Sequence, residues 1–122
     1  MLKTLAIIFG IVFLLVGILG FIPLFTPGGH LLGLFHVNTA HNIVHLLTGA
    51  LALFCGMVSG RASKLFFQIF GVVYLLVALL GLYYQDQAIL GIIANNVHDI
   101  WLHFAIAFVA LYLGFVYKEE VI

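Results

Sequence analysis

Two short polar runs interrupt an otherwise apolar sequence, and they share one pattern. Asn38, His41 and His45 are spaced Asn-x-x-His-x-x-x-His, and Asn96, Asp99 and His103 repeat the spacing with Asp in place of the first His. A separation of four puts His41 and His45 on one face of a helix, and Asp99 and His103 likewise. Three imidazoles and one carboxylate, brought together, make a ligand set for a transition metal: zinc, copper, manganese or iron. His36 and His98, with Asn38 and Asn96, stand near enough in sequence to add ligands or to hydrogen-bond the ligating groups from behind.

The same residues support other readings. Asn38 and Asn96 are natural N-caps, and Asp99 completes a capping-box arrangement at the positive end of its helix. His45 and His103 would then hydrogen-bond between helices, and the cluster would serve packing alone. That reading suits a structural or accessory subunit of a membrane complex, or a homo-oligomer. Facing histidines also suit a b-type haem as an axial pair. No Lys or Arg stands at that end to meet the propionates, which argues against haem. Proton transfer would need a polar path through the other half of the spans, and none is expected. An enzyme is not expected either, since the histidines have no nucleophile to activate and there is no soluble pocket for a substrate.

The elements that must position these groups follow from composition. Of 122 residues, 66% are hydrophobic and 7% charged, with a mean hydropathy of +1.33, too few polar groups to cover a soluble domain. A bilayer core takes about 20 apolar residues per helix, so the chain supplies four spans and no soluble domain. The spans are expected at Leu5–Phe25, Thr39–Val58, Leu65–Tyr84 and Val97–Tyr117, as one membrane domain over residues 1–122. Breaks are expected at Pro27-Gly28-Gly29, Ser59-Gly60-Arg61 and Gln85-Asp86-Gln87. No segment alternates in polarity as a barrel strand would, which leaves helices as the way to satisfy the backbone in lipid. Met1-Leu2-Lys3 and its apolar run are read as the first span. The run is too long for a signal peptide and lacks a cleavage site.

Lys3, Arg61, Lys64 and Lys118 all fall on one side of this arrangement. The positive-inside rule puts both termini and the middle connection in the cytoplasm, and the polar site toward the outer face. Tyr83, Tyr84 and Trp101 mark the outer boundary, and Tyr112 and Tyr117 the inner one. The net charge of zero gives no reason to expect nucleic acid as a partner, leaving the lipid bilayer. Cys55 has no partner for a disulfide and reads as a small packing residue, and His30 as a solvent-facing loop residue.

The spans fall into two copies of one hairpin, residues 5–58 and 65–117. Ile8 to Gly20 matches Ile69 to Gly81 at a constant offset (69 − 8 = 61). Beyond the loop the offset is 58 (96 − 38): Leu32-Gly33 matches Leu90-Gly91, Asn38 matches Asn96, His41 matches Asp99, and His45 matches His103. The first loop is therefore three residues longer (61 − 58), with Pro27-Gly28-Gly29 as the expected site of the extra length. Both copies begin on the same side, so they are expected to be parallel repeats about an axis along the membrane normal. Small residues at Gly49, Ala52, Gly56 and at Ala107, Ala110, Gly114 continue the histidine faces. They predict a four-helix bundle in which spans two and four meet across the axis.

The run His36-Val37-Asn38-Thr39-Ala40-His41-Asn42-Ile43-Val44-His45-Leu46-Leu47-Thr48-Gly49 resembles the signature of a bacterial membrane family known as domain of unknown function 4383. Asp99 and His103 resemble its second motif, in which an Asn commonly follows the Asp where this chain has Ile100. The resemblance covers nearly the whole chain. It implies this fold and a bacterial cell-membrane location, and no activity.

Overall fold

A computed structural model of the chain describes residues 1–118 and is all-helical apart from one two-rung strand pair. Helix α1 spans Leu2–Leu19, α2 Thr39–Val58, α3 Gly60–Tyr84 and α4 Val97–Leu111, the last running into a π-helical turn at Tyr112–Val116. All four are long and apolar enough to cross a membrane, α4 counted with its π turn. Residues 119–122, with the C terminus, lie outside the described residues.

The surface is apolar and the interior holds the polar groups. Leu15, Leu47, Phe54, Leu76 and Phe108 are each more than half exposed, whereas His41, Asn42, His45, Thr48, Ser63, Asn95, Asp99 and His103 are buried. That distribution suits a lipid solvent, which rewards apolar contact outside and requires every polar group to find a partner inside. An aromatic column joins α1 to α3. Phe9 stacks on Phe13 at 4.3 Å and meets Phe66 edge-on at 5.7 Å, and Phe13 meets Tyr74 edge-on at 5.8 Å.

Three expectations change. Helix α1 stops at Leu19 rather than Phe25, because Pro23 and Pro27 each open a short 3-10 turn, Pro23–Phe25 and Pro27–Gly29. The break at Ser59-Gly60-Arg61 contracts to Ser59 alone, and α3 starts at Gly60 rather than Leu65. Ser59 Oγ accepts from the Ala62 backbone N–H at 3.0 Å, while the Ser63 hydroxyl donates to the Ser59 carbonyl at 2.8 Å and lies 3.2 Å from that of Cys55. One residue thus ends one helix and caps the next.

The third change concerns packing. The small-residue stripes work within the hairpins: α1 lies closest to α2, and α3 to α4, while α2 and α4 stay further apart. A Cβ at Gly49 would sit 2.9 Å from the Gly10 carbonyl, and one at Gly56 2.7 Å from Ile7. A Cβ at Gly71 would sit 2.9 Å from the Leu111 nitrogen, and one at Gly114 2.6 Å from that of Gln68. Absent side chains allow these backbones to touch, and close packing is the main source of helix association in lipid.

At the end of the bundle opposite Ser59, two crossed loops join the hairpins. Strand β1 (His30–Leu31) pairs with β2 (Phe35–His36) around Leu32 and Gly33, with φ of 54° and 75°. Ile89 bridges Ile93 around Leu90 and Gly91, with φ of 54° and 72°. Asn38 Nδ2 donates to the Ile92 carbonyl at 2.9 Å, and Asn96 Nδ2 donates to the Leu34 carbonyl at 2.8 Å. Each loop is thereby held by the helix that follows the other.

Candidate metal centre

The first turns of α2 and α4 set the histidines. Asn38 caps α2, its Oδ1 accepting from the His41 backbone N–H at 2.9 Å. Asn96 caps α4 through a complete capping box: Oδ1 accepts from the Asp99 N–H at 3.0 Å, and Asp99 Oδ2 accepts from the Asn96 N–H at 3.0 Å. His45 and His103 lie one turn deeper, about 10 Å below their caps at 1.5 Å per residue.

Three imidazoles converge between the hairpins. His41, His45 and His103 are all buried, and one ring nitrogen from each lies within 4.8 Å of the other two. The His41 ring centroid is 5.1 Å from that of His45 and 5.7 Å from that of His103. Aromatic walls flank them: Phe13 stacks on His45 at 5.0 Å, and Tyr74 leans on His103 at 5.7 Å. His41 Nδ1 lies 3.0 Å from the His36 carbonyl. A carbonyl only accepts, so Nδ1 carries the proton and Nε2 of the neutral ring keeps its lone pair. A backbone carbonyl behind a ring N–H is the usual support for a ligating histidine. His45 Nδ1 and His103 Nδ1 are buried with no hydrogen-bond partner among the described residues. Such atoms are costly unless something else meets them.

The remaining candidates stand apart. Asp99 is 1% exposed and lies near His41 and His45, but its carboxylate is engaged with the α4 N-terminus and does not join the three imidazoles. His36 offers its backbone carbonyl to His41, while its ring stacks on His30 at 4.8 Å. His30 is thus half-buried against a second ring, not simply solvent-facing. His98 is exposed and meets the edge of Phe35, 6.4 Å away. Asn38 and Asn96 act as caps and loop clasps.

Four buried polar residues escaped the sequence reading. Asn42 Nδ2 donates to the Gly20 carbonyl at 2.9 Å, and Asn95 Nδ2 donates to the Gln85 and Gly81 carbonyls at 2.6 and 3.2 Å, closing the ends of α1 and α3. Thr48 donates to the Val44 carbonyl at 2.8 Å and therefore accepts from the Tyr74 hydroxyl at 3.0 Å. Tyr74 was the available signal. A hydroxyl in an apolar span needs a partner.

The chain belongs to the family described as domain of unknown function (DUF4383), which matches residues 3–116. No curated protein and no solved structure matches it.

Proposed function

We propose that this protein is a small membrane metal-binding module whose ligands are His41, His45 and His103. The observation that carries the reading is the convergence of three buried imidazoles whose nitrogens lie within 4.8 Å of one another. Tetrahedral nitrogen ligands at 2.0–2.1 Å stand roughly 3.3 Å apart, so a metal requires the rings to close by at most about 1.5 Å. Three neutral imidazoles and an open fourth position suit zinc or copper better than manganese, which prefers oxygen. Asp99 stands beside the site without ligating.

The proposed frame is a single membrane domain of two tandem parallel hairpins, residues 5–58 and 65–117, in a bacterial cell membrane. The matching φ pairs at Leu32-Gly33 and Leu90-Gly91, and the reciprocal Asn38 and Asn96 bonds, support the duplication. The side bearing Lys3, Arg61, Lys64 and Lys118 is assigned to the cytoplasm, and the metal to the outer half of the bundle.

Metal analysis of detergent-purified protein tests the reading. About one zinc or copper per chain is expected after incubation and washing, with His41→Ala, His45→Ala and His103→Ala each abolishing it. Added metal at 100 times its Kd should also raise unfolding stability by about 2.7 kcal/mol. Wild-type protein that retains no metal would overturn the proposal. It would favour instead a packing-only cluster in an accessory subunit, the reading that the helix-capping role of Asp99 supports.

A further inference from the structure

The first loop, residues 20–38, contains no Asp, Glu, Lys or Arg, and its two imidazoles are His30 and His36. They stand directly opposite one another on β1 and β2. One step outside the pair, the Val37 N–H donates to the Gly29 carbonyl at 3.0 Å, so the two histidines form a rung without hydrogen bonds of its own. Such a rung brings Cα atoms to about 4.5 Å, the closer of the two antiparallel spacings. The ring centroids lie 4.8 Å apart with their planes at 19°, and both residues are half-buried. His30 Nδ1 lies 2.9 Å from the Gly28 carbonyl, which can only accept. That nitrogen therefore carries a proton, and Nε2 of the neutral ring keeps its lone pair. The His36 ring has no hydrogen-bond partner among the described residues.

We propose that His30 and His36 bind a divalent late transition ion, copper(II) ahead of zinc, from the aqueous phase at this end of the bundle. Two imidazoles supply two ligands, and water completes the coordination. The Gly28 carbonyl behind His30 is the kind of support that orients a ligating ring. The backbone beneath the pair is already fixed, because the Leu32 N–H donates to the Phe25 carbonyl at 2.8 Å and the Leu34 carbonyl accepts from Asn96. Cis nitrogens about 2.0 Å from a metal stand roughly 2.8–3.3 Å apart, so the rings must turn out of their stack to close on it. Half-buried side chains leave room for that turn. With no carboxylate in the loop, calcium and magnesium lack the oxygen ligands they need, and the order of divalent affinities puts copper first. The site uses none of the three buried imidazoles, so it stands or falls apart from the metal centre between the hairpins.

The test is equilibrium dialysis of the full chain in detergent against copper(II), with metal analysis and electron paramagnetic resonance. One copper per chain is expected at the loop, in addition to any held by the buried cluster, with two imidazole nitrogens in its spectrum. His30→Ala and His36→Ala should each weaken this copper by more than about tenfold, since losing even an outer partner of a ligand costs that much. Both should keep the helical circular dichroism of the wild type. His98→Ala should leave the loop copper in place, and so should His45→Ala, which removes a ligand of the buried centre alone. Wild type and His45→Ala taking up the same single copper would sink the buried centre and leave the loop site standing. Undiminished uptake by the His30→Ala, His36→Ala double variant would overturn the proposal. So would loss in only one of the two single variants, or displacement of the copper by equimolar magnesium.

Discussion

Asn38 makes two contacts that substitution can separate. Its Oδ1 caps α2 at the His41 N–H, and its Nδ2 reaches the Ile92 carbonyl of the other hairpin, both at 2.9 Å. Asn38→Ala removes both. Loss of an N-cap costs about 0.5–2 kcal/mol, and a net hydrogen bond is worth about 0.5–1.5 kcal/mol. Asn38 is exposed, so water replaces part of each contact and the sum should fall near 1–2 kcal/mol. Asn38→Asp keeps an acceptor for the cap and adds a charge worth about 0.3–1 kcal/mol at the helix N-terminus, while losing the donor to Ile92. Its net cost should stay below about 1 kcal/mol. Reversible unfolding in mixed SDS micelles, followed by circular dichroism, measures both. Because the cap fixes the turn that carries His41, Asn38→Ala should also weaken metal binding by about tenfold or more. A cost below about 0.5 kcal/mol for Asn38→Ala, or equal costs for the two variants, would refute the two-contact reasoning.

Three further outcomes are expected. Gly49→Ala puts a Cβ 2.8 Å from the Leu14 nitrogen, forces α1 and α2 apart, and should cost about 1–3 kcal/mol in the same unfolding assay. Tyr74→Phe breaks the bond to Thr48 but leaves Thr48 its Val44 partner, so a loss of about 0.5–1.5 kcal/mol is expected with metal content unchanged. Cysteines introduced at Gly28 and Gln87 should both react with an impermeant thiol reagent from outside the cell, and one introduced at Arg61 should not. Labelling of Arg61→Cys alone would reverse the orientation and move the histidines to the cytoplasmic half.

Much of the scaffold was legible because lipid leaves few choices. Twenty-residue apolar runs bounded by Pro, Gly or a polar cluster point to helices, and α2 occupies the expected Thr39–Val58. The histidine spacing was legible for the same reason, since four residues on a helix define a face. The connection at Ser59 was not, because a one-residue joint depends on Ser63 turning back to the Cys55 and Ser59 carbonyls, a contact that spacing alone does not reveal. Nor were the partners of the glycine stripes. Gly49 and Gly114 announce that a backbone approaches, but not that it belongs to the preceding helix. Asp99 matched His41 in position yet serves the cap, since a carboxylate at the third helical residue reaches its own N-cap more easily than a neighbouring imidazole.

The crossed asparagine clasp also sets an order for biosynthesis. Asn38 and Ile92 are 54 residues apart in the chain, which at 5–20 residues per second separates their synthesis by roughly 3–11 s. During that interval the nascent first hairpin holds His41 and His45 in the bilayer without His103 and with its loop unfastened. The site is therefore completed late in translation, when α4 inserts. A ribosome that stalls between the hairpins leaves a two-histidine fragment whose loop has neither Asn96 nor Ile92 to fasten to.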